Sequence, residues 1–300
     1  KKSLALNMLH LLDPNTAHKI AISLLKKSFP YPKICDPHRV FGLDFPNRLG
    51  LSAGFDKDAV ALRGLKSLGF GHVEVGTVTL GMQLGHVPQY IERQPNALVN
   101  KLGLPNIGVN QMVRNIKKFR PKGLVLGGSI AFGDLVDPSY NLTEIYETFS
   151  RLRKTVDYIV LNASCPNVET PENIYKCLCL IDHTNTPVLV KLSIMQDKEK
   201  LKSTLSVLKE SEVKGVVCSN TLPTAKGGLS GKPLTHIGHQ QLEWVKENSD
   251  YPVISSGGVM TPQDAADRIR LGADLVQVYT GFVYGGITFP YRVAKTMRDL

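Results

Sequence analysis

Apolar residues along this chain follow two different periods, and the change between them divides it. Residues 4–12 are mostly apolar, and after Asp13-Pro14, a helix-start signal, Ala17, Ile20, Ala21, Leu24 and Leu25 recur at helical spacing. Phe29-Pro30-Tyr31-Pro32 then stops the helix and supplies a linker. The pattern predicts a short amphipathic helical pair within residues 1–32, with Lys19, Lys26 and Lys27 in the second helix. Such a pair either packs on the domain that follows or lays a face of Leu, Ile and Lys on a membrane surface.

From about Val40 short apolar runs alternate with stretches of helical period. The runs fall at 48–53, 72–77, 124–130, 158–163, 188–192, 215–219, 253–256 and 275–279, with helical stretches such as 144–155, 198–211 and 262–271 between them. Eight βα units predict an α/β fold, a TIM barrel, over residues 40–300. Residues 40–45, ahead of the first unit, fit a hairpin that plugs the barrel bottom. A chain of 300 residues is long enough to bury one such barrel.

In this fold chemistry gathers at the C-terminal ends of the strands. Those ends carry Gly54-Phe55-Asp56-Lys57, Thr77 and Thr79, Ser129, Asn162-Ala163-Ser164-Cys165-Pro166-Asn167, Lys191, Ser219-Asn220-Thr221, Gly257-Gly258 and Tyr279-Thr280-Gly281, while the strand bodies stay apolar. In the run from Asn162 to Asn167, Pro166 removes a ladder donor just after a β-branched strand, so two amides and a thiol collect at the rim. The same residue types make ordinary turns, and a lone Cys is often a small buried hydrophobe.

Ser256-Gly257-Gly258 after the seventh strand and Tyr279-Thr280-Gly281 after the eighth form a phosphate signature, because glycines let backbone N–H groups approach an anion. Gly227-Gly228-Leu229-Ser230-Gly231 adds a flexible loop over the same rim. A phosphate anchor, Lys191 at the mouth and a ring of hydroxyls and amides suit FMN, whose reduced form a lysine beside the ring would stabilise. With a flavin present Cys165 gains a role: a thiol of pKa about 8.5 is nearer neutrality than a serine hydroxyl and suits a general base.

Composition narrows the partners. The chain is 42% hydrophobic and 21% charged, which excludes a disordered chain, and its net charge of +10 favours nucleic acid, an acidic membrane surface or a small anionic substrate. Basic residues such as Lys117, Lys118, Arg120 and Lys122 are scattered, and no nucleic-acid motif accompanies them, so nucleic acid is not expected. Cys35, Cys165, Cys177, Cys179 and Cys218 are odd in number and lack zinc spacing, which predicts a reducing compartment without structural disulfides. Cys177 and Cys179 read as one helix face, and His236 with His239 has metal-like spacing but no evident third ligand, so no metal is expected. No apolar run reaches the roughly 18–20 residues of a membrane-spanning helix. The start at Lys1-Lys2 without an initiator Met leads to the expectation that a segment has been removed ahead of it.

Five segments together resemble dihydroorotate dehydrogenase: Leu49-Gly50-Leu51-Ser52-Ala53-Gly54-Phe55-Asp56-Lys57, Val73-Glu74-Val75-Gly76-Thr77-Val78-Thr79, the run from Asn162 to Asn167, the glycine segment 227–231, and Leu275-Val276-Gln277-Val278-Tyr279-Thr280-Gly281. The resemblance spans nearly the whole chain, and Leu11-Leu12-Asp13-Pro14 with Ala17-His18 is similar to the N-terminal extension of the membrane-associated, quinone-reducing class. It implies oxidation of dihydroorotate to orotate in pyrimidine biosynthesis, with electrons passed to a quinone. It implies an FMN site from Ala53, Gly54, Lys57, Thr77, Ser129, Asn162, Lys191, Ser219, Gly231, Gly258, Tyr279 and Thr280. Substrate groups would be Lys57, Asn100, Gly103, Leu104, Asn162, Asn167, Asn220 and Thr221, with Cys165 as base and Arg93 and Tyr279 facing quinone. Residues 1–32 would form the quinone tunnel and hold the protein peripherally on a membrane, at the cytoplasmic face of a bacterial inner membrane.

Four segments depart from the family pattern. Cys165 stands where the quinone class has serine, and Ser129-Ile130-Ala131-Phe132-Gly133 replaces Asn-Ile-Gly-Lys-Asn. Leu80-Gly81-Met82-Gln83 lacks the proline-rich pattern, and residues 100–106 vary the substrate loop. Two other readings therefore stay open: an FMN oxidoreductase acting on another dihydropyrimidine or using a soluble acceptor, and a non-catalytic flavin- or phosphate-binding barrel.

Overall fold

The computed structural model describes residues 4–133, 138–163, 170–181, 185–194 and 197–300. The chain opens with α1 (Leu4–Leu11) and α2 (Pro14–Leu25). α2 starts at Pro14 because the Asp13 carboxylate accepts the N–H groups of Asn15 at 3.0 Å and Thr16 at 3.1 Å, and a proline at the first helical position has no N–H to lose. A hairpin follows, β1 (His38–Val40) and β2 (Leu43–Phe45).

The rest alternates. Its first half holds β3 (Leu49–Leu51), α3 (Leu62–Ser67), β4 (His72–Val78), β5 (Tyr90–Gln94), β6 (Ala97–Lys101), α4 (Val109–Phe119), β7 (Val125–Ile130), α5 (Pro138–Leu152) and β8 (Tyr158–Asn162). Its second half holds α6 (Pro171–Leu180), β9 (Val188–Lys191), α7 (Lys198–Lys209), β10 (Gly215–Cys218), β11 (Leu222–Thr224), β12 (Gly227–Gly231) and α8 (Thr235–Asn248). The chain ends with β13 (Val253–Ser256), α9 (Pro262–Arg270), β14 (Leu275–Val278), α10 (Thr280–Gly285) and α11 (Phe289–Arg298).

Strands β3, β4, β7, β8, β9, β10, β13 and β14 form a closed parallel barrel. These are the eight apolar runs of the sequence, and the expected (β/α)8 fold is the observed one. Closure is made by β14 on β3, with Val276 opposite Leu49 and Val278 opposite Leu51.

The core has two parts. Outward-facing strand residues such as Leu51, Val73, Leu126 and Ile159 pack with Leu65, Met112, Phe149 and Leu205 of the surrounding helices. Inside the barrel bottom, Val40, Phe41 and Phe45 of the hairpin join Tyr158, Val160, Leu189, Val217, Ile254 and Leu275. The hairpin is thus the plug expected from its sequence. Strand glycines make room for the large rings within: a Cβ on Gly50 would lie 1.9 Å from the His72 ring, and one on Gly127 would lie 2.2 Å from that of Tyr158.

A four-stranded sheet in the order β11-β12-β6-β5 is a second layer that the sequence pattern did not predict. It corrects the reading of residues 227–231 as a flexible loop: they are β12, antiparallel to β6 with Gly228 opposite Asn100. The glycines permit close strand approach, since a Cβ on Gly227 would sit 2.3 Å from the Asn100 carbonyl oxygen.

α2 packs on the barrel through buried Ala17 and Leu25, and the His18 ring meets Phe55 edge-on at 5.2 Å. Burial, helped by the nearby Lys57 charge, lowers the His18 pKa from 6.5 to about 4. Unfolded, His18 takes a proton near pH 6.5; folded, it stays neutral to about pH 4. The stability this burial gives is therefore fully present above pH 6.5 and is lost as the pH falls toward 4. His18→Gln should flatten the dependence of unfolding free energy on pH across that window, as read by urea denaturation. At the other end of the barrel, Phe45→Ala should cost about 3–5 kcal/mol in the same measurement, the range for emptying an aromatic site in a core.

Candidate active site

The C-terminal ends of the barrel strands and the overlying sheet enclose a cavity of about 610 Å³. From the first barrel strand and its loop come Ala53, Gly54 and Lys57. Gly54 has φ +94°, a conformation that favours glycine, and its N–H donates to the Gly76 carbonyl at 2.8 Å. The next turn is fixed by Asp56, whose carboxylate accepts the N–H groups of Val60 at 3.0 Å and Ala61 at 2.8 Å. Burial pushes the Asp56 pKa up to about 6, against the pull of those N–H groups.

Further along the wall, Thr77 of the neighbouring strand β4 and Asn162 of β8 line the cavity as a bonded pair, the Asn162 amide donating to the Thr77 hydroxyl at 3.3 Å. Ser129 stands behind them, fully buried, with its hydroxyl 2.9 Å from that of Thr77. Lys191, Ser219, Asn220 and Thr221 continue the rim, and Asn100, Gly103, Leu104 and Gly231 reach it from the overlying sheet and its loop. The Asn100 amide donates to the Gly228 carbonyl at 3.3 Å, which ties the sheet together over the cavity. Gly258, Tyr279 and Thr280 complete the wall, and the Thr280 and Ser230 hydroxyls lie 2.9 Å apart.

Two ammonium groups face this space. Burial pushes down the pKa of both Lys57 and Lys191, opposed by Asp58 for the first and Glu74 for the second. Glu74 is itself fully buried in the barrel, where the Gln277 amide donates to its carboxylate at 2.8 Å. Burial raises its pKa, and Lys191 and Gln277 pull it back. Such charges are held inside a protein only where something answers them, and the cavity is the place for an anionic ligand.

The residues fit FMN. Gly257 and Gly258 have φ of +93° and +76°, and a Cβ on Gly258 would lie 2.5 Å from the Thr235 backbone. Among the described residues no hydrogen bond uses the N–H of Gly258 or Val259. Both residues line the cavity, as the cradle of a phosphate would.

Not every expected residue sits on the wall. Arg93 lies at the junction with α1, where its guanidinium donates to the carbonyls of Leu9 at 3.3 Å, His10 at 3.2 Å and Leu12 at 2.6 Å. Cys165 and Asn167 lie outside the described residues. Cys177 is buried on α6 and Cys179 exposed, so the pair does not form one helix face as expected: residues two apart on a helix point to opposite sides. His236 and His239 are on α8, and among the described residues no group of three His, Cys, Asp or Glu side chains could hold a metal ion. Sequence reasoning missed Glu74, Gln277 and Arg268. For Glu74 and Gln277 the one signal was a charged or amide residue within an otherwise apolar strand; Arg268, on a helix with several charges, gave none.

Comparison with known proteins agrees with this geometry. The family model described as dihydroorotate dehydrogenase matches residues 37–300. Among curated relatives, a quinone dihydroorotate dehydrogenase of Thermus thermophilus is 37% identical, covering 94% of this chain and 92% of its own. That of Christiangramia forsetii is 34% identical over 89% and 85%. The structure of Eimeria tenella DHODH in complex with ferulenol superposes with a TM-score of 0.87 at 26% identity, covering 95% of this chain and 90% of its own. The ligand-free enzyme from that organism gives 0.84 at 27% identity. Fold, cavity and sequence lead to one assignment: the chain belongs to the dihydroorotate dehydrogenase family.

Proposed function

We propose that this protein oxidises dihydroorotate to orotate, with FMN as its cofactor and a quinone as the electron acceptor. The observation that carries the proposal is the convergence of a glycine cradle, two buried lysines and a ring of amides on one cavity. FMN, when bound, accepts the electrons of the substrate and passes them to the acceptor. Ala53, Gly54, Thr77, Ser219, Gly231, Gly258, Tyr279 and Thr280 hold it, with Ser129 supporting Thr77 from behind. Lys191 places positive charge where the reduced cofactor is negative.

The substrate is a flat ring of N–H and C=O groups bearing a carboxylate, and Asn100, Asn162, Asn167 and Asn220 match its polar edge. Lys57 pairs with the carboxylate, and the backbone of Gly103 and Leu104 with Thr221 closes the pocket. Cys165 takes the proton from C5, which the neighbouring carbonyl acidifies. Dihydroorotate thereby loses two electrons and two protons, and the quinone gains them as quinol.

Residues 1–32 serve the acceptor and the membrane. α1 and α2 leave Met8, Leu11 and Leu24 exposed by 61%, 87% and 56%, an apolar face suited to the boundary of a lipid bilayer. Among the described residues no helix is long and apolar enough to cross a membrane. The attachment in this reading is peripheral, through that exposed face, at the cytoplasmic side of a bacterial inner membrane. Arg93 fastens α1 to β5, and the Tyr279 ring on the cavity wall meets Phe55, whose ring in turn meets His18 of α2.

The purified protein should be yellow, release FMN and bleach on addition of dihydroorotate; a colourless protein that takes up no FMN defeats the proposal. Cys165→Ala should slow that bleaching by about 10²–10⁴-fold, the usual contribution of a positioned base, while leaving the bound-flavin spectrum nearly unchanged. Deleting residues 1–32 should spare bleaching and abolish quinone reduction. A truncated protein that still reduces quinone at the parent rate would assign those helices another role.

A further inference from the structure

The cradle at Gly257 and Gly258 rests on a charge that does not itself reach the cavity. Arg268 of α9 is fully buried. Its Nη2 donates to the Gly257 carbonyl at 3.0 Å and the Thr235 carbonyl at 3.1 Å, and its Nη1 to the Ser255 hydroxyl at 3.3 Å. Gly238 on α8 leaves the passage for it, since a Cβ there would lie 2.5 Å from Nη2. Burial lowers the guanidinium pKa only to about 10, so it is charged at neutral pH.

Few groups answer that charge. Asp264 on the same helix helps to hold it protonated, but the Asp264 carboxylate already accepts the N–H groups of Met260 and Thr261, each at 2.8 Å. Cys218 on β10 is a neutral thiol, pushed up to about 12 by burial. His239 on α8, its pKa lowered by burial and then by Arg268, adds no negative charge.

Direction follows from peptide geometry. In a trans peptide the N–H points opposite to the C=O. The Gly257 carbonyl is held by Arg268, and the Gly258 carbonyl accepts from the Thr235 hydroxyl at 2.7 Å. The N–H groups that follow, those of Gly258 and Val259, therefore point away from Arg268 and Thr235, toward the cavity that both residues line. A carbonyl bonded to a cation also polarises its own peptide and strengthens the N–H as a donor.

We propose that Arg268 is a positioning residue for the phosphate of the flavin, aiming and polarising the cradle from behind and adding positive charge beneath it. The inference rests on the FMN reading above. It predicts a specific selectivity: loss of Arg268 weakens binding of flavin that carries a phosphate and spares flavin that does not.

The test compares holoprotein carrying Arg268, Arg268→Gln or Arg268→Lys. FMN release on dilution is followed by fluorescence, and FMN or riboflavin is then titrated back. Arg268→Gln should raise the FMN Kd about tenfold or more, the effect of losing a hydrogen bond to a charged group, while riboflavin affinity changes less than about twofold. Arg268→Lys should restore most of the FMN affinity. Thr235→Val, which removes only the hydroxyl on the Gly258 carbonyl, should show a smaller loss confined to FMN and carries the test if Arg268→Gln fails to fold. Equal weakening of FMN and riboflavin, or an unchanged FMN Kd, overturns the proposal. A parent protein that binds neither flavin overturns the FMN reading itself, and this inference with it.

Discussion

A parallel sheet with open edges presents rows of unpaired N–H and C=O groups, and its strand ends diverge as the sheet twists. Pairing of β14 with β3 removes both problems at once in this protein. It brings the turn after β3, with Gly54 and Lys57, beside Tyr279 and Thr280 after β14, although these segments are far apart in sequence. The Phe55 ring, 5.7 Å from that of Tyr279, marks the same seam, and His18 of α2 docks on it. Barrel closure therefore positions the cavity and the N-terminal helices together.

Closure also creates an interior that must be filled, and the two ends fill it differently. The bottom is apolar and aromatic, sealed by Phe41 and Phe45. The His72 ring belongs to that bottom layer, 5.3 Å from the Phe45 ring; higher up are Glu74, Lys191 and Gln277, all buried. An interior carboxylate beside an interior ammonium is a poor way to gain stability, because the loss of hydration rivals the attraction. Its sense lies in the cavity above: Glu74 draws the Lys191 proton equilibrium back toward the charged form that burial opposes. Lysine at that position is useful to a flavin only while it is charged.

The barrel was legible because each strand is a short apolar run bounded by polar turns, and eight of them admit few other arrangements. The hairpin was legible for the same reason. The sheet over the rim was not, because β12 is mostly glycine and carries no side-chain period, and its partner β6 is remote in sequence. Rim residues such as Lys57, Asn162, Lys191 and Thr280 were readable as polar groups ending apolar strands. Arg268 was not, since α9 reads as an amphipathic helix with a solvated charged face. Only packing shows that its buried side carries Ala265, Ala266 and an arginine. Arg93 was placed near the helical pair by resemblance, but its work as a clamp on the α1 carbonyls needed coordinates of both elements.

Two of the departures from the family pattern look independent in sequence and are one feature in space. The Glu144 carboxylate of α5 accepts the Leu80 N–H at 3.0 Å through one oxygen and the Gly133 N–H at 3.0 Å through the other. A Cβ on Gly133 would sit 2.2 Å from the Gln83 amide, so the two segments also meet directly. The segments 80–83 and 129–133 thus share one buried carboxylate. Within the second, Ser129 turns its hydroxyl to Thr77, and Thr77 accepts from Asn162. Ser129, Thr77 and Asn162 thus form one chain of hydrogen bonds that holds Asn162 against the cavity, which is what a working polar wall requires.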